Sequence, residues 1–252
     1  METPLPVAWV TGAGKGIGRA LALRLADDGW TVAASARTGQ DLESLVADCA
    51  SGRIHAFPLD ITDLKRTTVT IDVIENRLGP LSLVVLNAGT HIPMAAENFS
   101  ANTVRTLVET NLMGTVNCLE RVIHLFIERQ SGHIAVVASL AGYRGLPTSA
   151  AYGAGKAGLI NMCEALKPEL EAHHVRMTLI NPGFVETPLT DKNDFPMPFL
   201  IPVEAAVDYI MRGLRGKNFE VAFPKRFAWM MKILRIMPDR LFFAVTRRMI
   251  GS

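Results

Sequence analysis

The sequence predicts an α/β fold: a single domain with one doubly wound parallel sheet of seven strands, flanked by helices. Three observations point to it. Short apolar runs alternate with longer segments of helical spacing along the 252 residues. The runs are rich in β-branched residues and apolar on both faces, as in strands covered by helices on each side. A glycine-rich stretch, TGAGKGIG at 11–18, directly follows the first run. A sheet of this kind places ligands beyond the carboxyl ends of its strands, where that stretch falls.

The elements follow in order. The first strand is PVAWVT (6–11), and the glycine stretch opens a helix beginning near Ile17 and running to 28. WTVAASA (30–36), RIHAFPL (53–59) and LSLVVLN (81–87) are the next strands, separated by helical spacing over 39–50 and 63–78. One long helix over 103–129 leads to GHIAVVAS (132–139), and a helix over 154–172 leads to VRMTLIN (175–181). FEVAF (219–223) is a weaker seventh strand. Right-handed crossovers turn this alternation into stacked strand–helix–strand units. Pro168 lies inside the 154–172 helix and is expected to kink or loosen it, at up to about 3 kcal/mol.

Composition narrows the function. A net charge of +2 gives no overall case for nucleic acid. Cys49, Cys118 and Cys163 are far apart and odd in number, so they read as reduced, buried thiols of a cytoplasmic protein rather than metal ligands. His173 and His174 are adjacent and lack metal-ligand spacing, so no metal is expected. The amino-terminal METPLPVAWV has no basic segment followed by an apolar one, and no uninterrupted apolar run reaches about 18 residues.

The glycine stretch holds phosphate in this reading. A nucleoside-triphosphate loop is excluded, because Lys15 is followed by Gly16 and Trp9 stands where the first glycine belongs. The spacing present is Gly12, Gly16, Gly18. It allows a tight turn off the strand, close approach to a pyrophosphate, and free N–H groups at a helix start. Dinucleotide sites often carry an acid at the end of the next strand, for a ribose 2′-hydroxyl. Here that strand ends Ser35-Ala36-Arg37. Lys15 and Arg37 suit a 2′-phosphate, which points to NADP(H) over NAD(H).

Ser139 ends the fifth strand, and Tyr152 with Lys156 follows on a helix, four residues apart and on one face. A lysine cation beside a phenol favours the phenolate, so the tyrosine can exchange a proton with a carbonyl or an alcohol. Neither Tyr143 nor Tyr209 has a lysine at that spacing.

With these residues in place the sequence resembles the short-chain dehydrogenase/reductase family, whose sheet is Rossmann-like. The stretch 11–18 is similar to its T-G-x-x-x-G-x-G loop, with Gly12, Gly14, Lys15, Gly16, Ile17 and Gly18 against the cofactor. Asp60-Ile61-Thr62 resembles the segment that meets the adenine, and Asn87-Ala88-Gly89 the N-A-G motif. Asn111 begins an N-x-x-G segment, and Pro182, Gly183, Val185 and Thr187 belong to a P-G-x-x-x-T segment beside the nicotinamide. The resemblance implies that Tyr152 is the general acid/base and that Lys156 lowers its pKa and holds the nicotinamide ribose. It implies that Ser139 polarises the substrate carbonyl and that Asn111 supports Lys156 through a water. It also implies a homodimer or homotetramer through the helices carrying Asn111 and Tyr152. Asn87 has a plainer alternative, bracing two strands.

Substrate choice is expected from 91–93, 140–147, Phe184 and the loop 189–202. That loop carries Phe195, Met197 and Phe199 and reads as an apolar lid over a hydrophobic ketone, aldehyde or alcohol. The activity expected is NADP(H)-dependent hydride transfer to a carbonyl or from a secondary alcohol. The alternatives are a β-ketoacyl thioester reductase and a non-catalytic NADP(H) sensor.

Residues 225–252 stand apart from the catalytic domain at 1–224. They hold seven Lys/Arg and one Asp, with Phe227, Trp229, Phe242 and Phe243. Two short basic amphipathic helices broken at Pro238 fit them. Either the apolar faces pack on the core or a sister subunit, which is the reading preferred here, or the pair lies on a membrane surface.

Overall fold

The computed structural model describes residues 5–192 and 197–249. Strand β1 (Val7–Thr11) leads through α1 (Gly16–Asp27) to β2 (Thr31–Ser35), then α2 (Gly39–Asp48) to β3 (Ile54–Ala56). Helix α3 (Leu64–Leu78) returns the chain to β4 (Leu81–Leu86). Helices α4 (Ala101–Val108) and α5 (Gly114–Arg129) precede β5 (Gly132–Val137), and α6 (Ala150–Ala172) precedes β6 (Val175–Pro182). Helix α7 (Val203–Arg215) leads to β7 (Glu220–Phe223), followed by α8 (Lys225–Ile236) and α9 (Asp239–Arg248).

The seven strands form one sheet in the order β3-β2-β1-β4-β5-β6-β7, every neighbouring pair parallel. The order reverses between β1 and β4, so a crevice opens at their carboxyl ends. Side chains alternate across the sheet: Val7 and Trp9 of β1 join the core layer that includes α3, α5, α6 and α8. Ala8 and Val10 join the opposite layer with α1, α2 and α7.

Three expectations need correction. The segment 103–129 is not one helix, because a π turn at Glu109–Met113 separates α4 from α5. Helix α7 was not anticipated, although Ala206, Val207, Ile210, Met211 and Leu214 form its buried face at helical spacing. Helix α6 continues through Pro168 to Ala172. Pro168 lies in the last turn and a half, where only one intrahelical donor is lost.

The tail is built as expected: α8 and α9 meet at Pro238, and Phe227, Met231, Leu234 and Phe242 join the main core. All three cysteines are buried.

Candidate active site

The glycine loop must lie close to its neighbours. Gly12 has φ +67°, and a Cβ there would sit 2.7 Å from the Ala88 Cα. A Cβ on Gly18 would sit 2.3 Å from the Gly12 carbonyl oxygen. A Cβ on Gly14 would sit 3.0 Å from the Asp41 side chain, and one on Gly16 3.0 Å from the Thr187 side chain. Helix α1 has no side-chain cap and no acid in its first turn, so its leading N–H groups are available to an anion. The loop, including Ile17, therefore fits a pyrophosphate.

Asn87 is a brace. Its amide donates to the carbonyls of Thr11 (3.1 Å) and Gly12 (3.3 Å), while its backbone N–H donates to the Thr11 hydroxyl at 3.0 Å. The Ala88 N–H reaches the same hydroxyl at 3.1 Å. These contacts hold the ends of β1 and β4 together at the switch point.

Arg37 is exposed beyond β2 and has no acid within ion-pair distance among the described residues. Lys15 is paired with Asp41 at 3.4 Å. The sequence reading missed Asp41, which lies in the first turn of α2. Helix α2 also lacks a side-chain cap at Thr38. Asp60 accepts from the Thr62 N–H (3.0 Å) and hydroxyl (2.9 Å), and the Asn117 amide fixes the Ile61 carbonyl at 2.9 Å. The Ile61 side chain is in the core.

The π turn gives Asn111 its place. Its side chain is fully buried, accepts from the Thr90 N–H at 2.7 Å and donates to the Thr90 carbonyl at 2.9 Å. Both amide atoms are thus committed to the loop after β4. Asn111 lies across Gly89 from Lys156: a Cβ on Gly89 would be 3.0 Å from the Asn111 Oδ1 and 3.6 Å from the lysine Nζ. The amide thus fixes the backbone at Thr90 and Gly89 that lies between Asn111 and Lys156.

Ser139, Tyr152 and Lys156 converge on one cavity of about 500 Å³. The Ser139 hydroxyl accepts from the Ala141 N–H (3.1 Å) and donates to the Pro182 carbonyl (3.4 Å). Burial raises the Tyr152 phenol above its ordinary value, and a hydrogen bond with Ser139 opposes that rise. The buried Lys156 ammonium is pushed down to about 8 by desolvation and donates to the Val137 carbonyl at 2.8 Å. Its Nζ stands 5.8 Å from the Tyr152 ring centre. His91 packs edge-on against that ring at 4.7 Å and also lines the cavity.

Asn87, Gly89, Ile17, Pro182, Gly183, Val185 and Thr187 line the same cavity. Gly12, Gly14, Lys15, Gly16, Gly18, Arg37, Asp60, Ile61, Ala88 and Asn111 do not line it, the loop and strand-end residues lying along the crevice. The expected substrate residues His91, Leu140, Pro147, Phe184, Leu189 and Pro198 line it, whereas Ile92 is 40% exposed to solvent. Phe195 and its neighbours at 193–196 lie outside the described residues, and the lid reading with them.

The sequence also missed the tail's part. Phe227, Met230, Met231 and Leu234 of α8, with Met249, form a cavity wall. Phe227 stacks on Phe184 and Phe199 at 5.5 and 5.9 Å, and lies so near Gly183 that a Cβ there would be 2.6 Å from its ring. Glu220 ties the wall to the strands. It accepts from the Tyr143 hydroxyl, from the Asn181 amide at 2.8 Å and from the Lys232 ammonium at 2.5 Å.

A glycine-lined crevice at the switch point, opening beside a buried tyrosine and lysine, defines a dinucleotide-dependent oxidoreductase. The family profile for short chain dehydrogenases matches residues 6–196, and the chain belongs to that family. It is 39% identical over 250 residues to an uncharacterised oxidoreductase of Myxococcus xanthus, covering 98% of this chain and 99% of the relative. It is 32% identical over 226 residues to a 3-oxoacyl-(acyl-carrier-protein) reductase of Thermotoga maritima, covering 86% and 87%. Among solved structures, an actinorhodin polyketide ketoreductase with NADPH superposes with a TM-score of 0.80 at 24% identity, covering 88% of this chain and 97% of that one. A Burkholderia phymatum family member in complex with NAD gives 0.84 at 20% identity, covering 92% and 94%. At those identities the structural likeness concerns the fold.

Proposed function

We propose that the chain interconverts a hydrophobic carbonyl compound and its secondary alcohol with NADP(H), with Tyr152 as proton donor and acceptor. The observation that carries this is the meeting of Ser139, Tyr152 and Lys156 in one largely apolar cavity beside the glycine crevice. The bound dinucleotide supplies the hydride. The protein's part is to hold the carbonyl and move the proton. Ser139, fixed by two hydrogen bonds, orients the substrate oxygen towards the phenol. The phenol delivers its proton to that oxygen in reduction and recovers it in oxidation. Lys156 balances the phenolate charge from behind, and Asn111 positions Lys156 by holding Thr90 and Gly89. The apolar wall keeps water from the reacting centre.

Gly12, Gly14, Gly16, Ile17 and Gly18 are assigned to the pyrophosphate, Asp60 and Ile61 to the adenine side, and Asn87, Ala88 and Gly89 to the switch point. Pro182, Gly183, Val185 and Thr187, with Tyr152 and Lys156, are assigned to the nicotinamide side. The choice of NADP(H) is supported by Arg37, unpaired with any acid among the described residues, beside the uncapped start of α2. Lys15 joins it once Asp41 yields the ammonium to a phosphate. A homodimer or homotetramer through α4, α5 and α6 belongs to the same proposal, as does the division into a catalytic domain at 1–224 and an extension at 225–252.

A 3-oxoacyl thioester is the second reading, favoured by the reductase of T. maritima at 32% identity. One experiment tests both: initial rates with NADPH and NADH across ketones, aldehydes and 3-oxoacyl thioesters, for the wild type and Tyr152→Phe. We expect a preference for NADPH, and a turnover loss of at least about a hundredfold in the variant with cofactor binding kept. Turnover undiminished in Tyr152→Phe would overturn the assignment.

A further inference from the structure

The outer face of the tail has a composition that water does not favour. Helix α8 buries Phe227, Met231 and Leu234, spaced i, i+4, i+7. Its opposite stripe, at the same spacing, is Trp229, Ile233 and Ile236, which are 70%, 37% and 82% exposed. A surface helix ordinarily turns polar residues outward on that side. Helix α9 adds exposed Leu241, Phe243 and Val245, which flank its buried Phe242 on both sides.

Cations surround this apolar stripe. Lys232 and Arg235 have acidic neighbours in Glu220 and Glu164, and the tail's only acid, Asp239, is held by Arg144. Lys225, Arg226, Arg240, Arg247 and Arg248 have no acid within ion-pair distance among the described residues. A twofold contact between two copies through this face would set these cations against their own kind. An anionic lipid surface satisfies both features: it accepts Trp229 and the isoleucines at the acyl boundary and neutralises the arginines at the headgroups.

We propose that α8 and α9 form a docking face for an anionic bilayer. The inner face of α8 lines the substrate cavity, so docking places that cavity about one helix diameter, roughly 10 Å, from the lipid. An oil-soluble carbonyl compound then has a short path from membrane to site. The docking surface does not depend on the proton chemistry, so Tyr152→Phe binds vesicles as the wild type does, even if the catalytic reading fails.

The test is sedimentation of the full chain with vesicles of phosphatidylglycerol and phosphatidylcholine, and with phosphatidylcholine alone. The expected result is pelleting with the anionic vesicles that weakens as salt rises. A blue shift of the Trp229 fluorescence accompanies it and is absent in Trp229→Phe. Ile233→Glu with Ile236→Glu weakens binding at least about tenfold, from the loss of two apolar anchors. Both changes are at solvent-facing positions, and an unchanged circular dichroism spectrum verifies the fold. Three outcomes overturn the proposal. The chain stays in the supernatant with anionic vesicles. The double variant pellets as well as the wild type. Sedimentation velocity without lipid shows a dimer that the double variant converts to monomer, while vesicles leave the wild type in solution.

Discussion

Arg144 is the pin that holds the tail over the cavity. Its guanidinium donates to the Leu234 carbonyl at 2.8 Å, to the Met237 carbonyl and to the Asp239 carboxylate at 2.5 Å. It also lies 3.9 Å above the Phe242 ring. The two carbonyl contacts close the end of α8 and contribute on the order of 1 kcal/mol each in this half-buried setting. Stacking on Phe242 adds about 1 kcal/mol. Asp239 is 81% exposed, so its ion pair adds little. Arg144→Ala should therefore cost about 3 kcal/mol, most of it at the junction of α8 and α9. Spread over the whole fold, that lowers Tm by roughly 6–12 °C for a chain of this size. Confined to the tail, it appears as faster tryptic cleavage within 225–248 and a raised KM for apolar substrates. Thermal unfolding and timed proteolysis of the wild type, Arg144→Ala and Arg144→Lys distinguish the two. Lysine keeps the charge but loses the fork and the stacking, so it should recover only part of the effect. A Tm within about 2 °C of wild type together with an unchanged tryptic pattern would show that Arg144 does not hold the tail.

Gly18→Ala places a Cβ 2.3 Å from the Gly12 oxygen and 2.5 Å from the Asn87 amide nitrogen. The loop must shift to admit it, and NADPH affinity measured by fluorescence titration should fall at least about tenfold; undisturbed binding would refute the close-approach argument. The pH dependence of stability gives an independent check on Lys156. Its folded pKa of about 8 is below the ordinary 10.5, so the burial penalty is full below pH 8. Above that the unfolded chain holds more protons, and stability rises with pH. Burial raises Tyr152, so that group works in the opposite sense once unfolded tyrosines ionise near pH 10. The Lys156 window is therefore about pH 8 to 10, where that group alone contributes a gain on the order of 2–3 kcal/mol. The buried Cys118 and Cys163 thiols, raised by burial, lose stability over the same range, so the gain is read against a variant that keeps both. Denaturant titrations should show the wild type gaining on Lys156→Met by that amount between about pH 8 and 10; a constant difference between the two would mean that Lys156 is not the group responsible.

The sheet and the converging Ser139, Tyr152 and Lys156 were legible because both follow from short-range rules. Apolar runs mark buried parallel strands, and polar residues at their ends meet on one edge. Asn111 was found by its motif, but not its setting. The apolar spacing of 103–129 runs on without a break, and only the backbone shows the π turn that aims its amide at Thr90. Asp41 was invisible for a different reason. Its pairing with Lys15 joins the loop after β1 to the start of α2, a neighbourhood created by the topology. Arg144 bonds to main-chain carbonyls some ninety residues away, and carbonyl groups leave no mark on residue choice. The break at Pro238 was legible, but not the packed side of α8, because apolar residues stand on opposite stripes of the same helix.

That helix joins the two halves of the sequence in one site. Desolvation is the leading cause of the raised Tyr152 and the lowered Lys156, and both line the cavity that Phe227, Met230, Met231 and Leu234 enclose. Two displacements in opposite senses bring a phenol and an ammonium towards their neutral forms, which costs stability. An apolar wall is what sustains them. The Glu220 contacts to Tyr143, Asn181 and Lys232 fasten that wall to the same strand ends that carry Ser139 and Pro182. The cavity is thus built from residues on both sides of position 224.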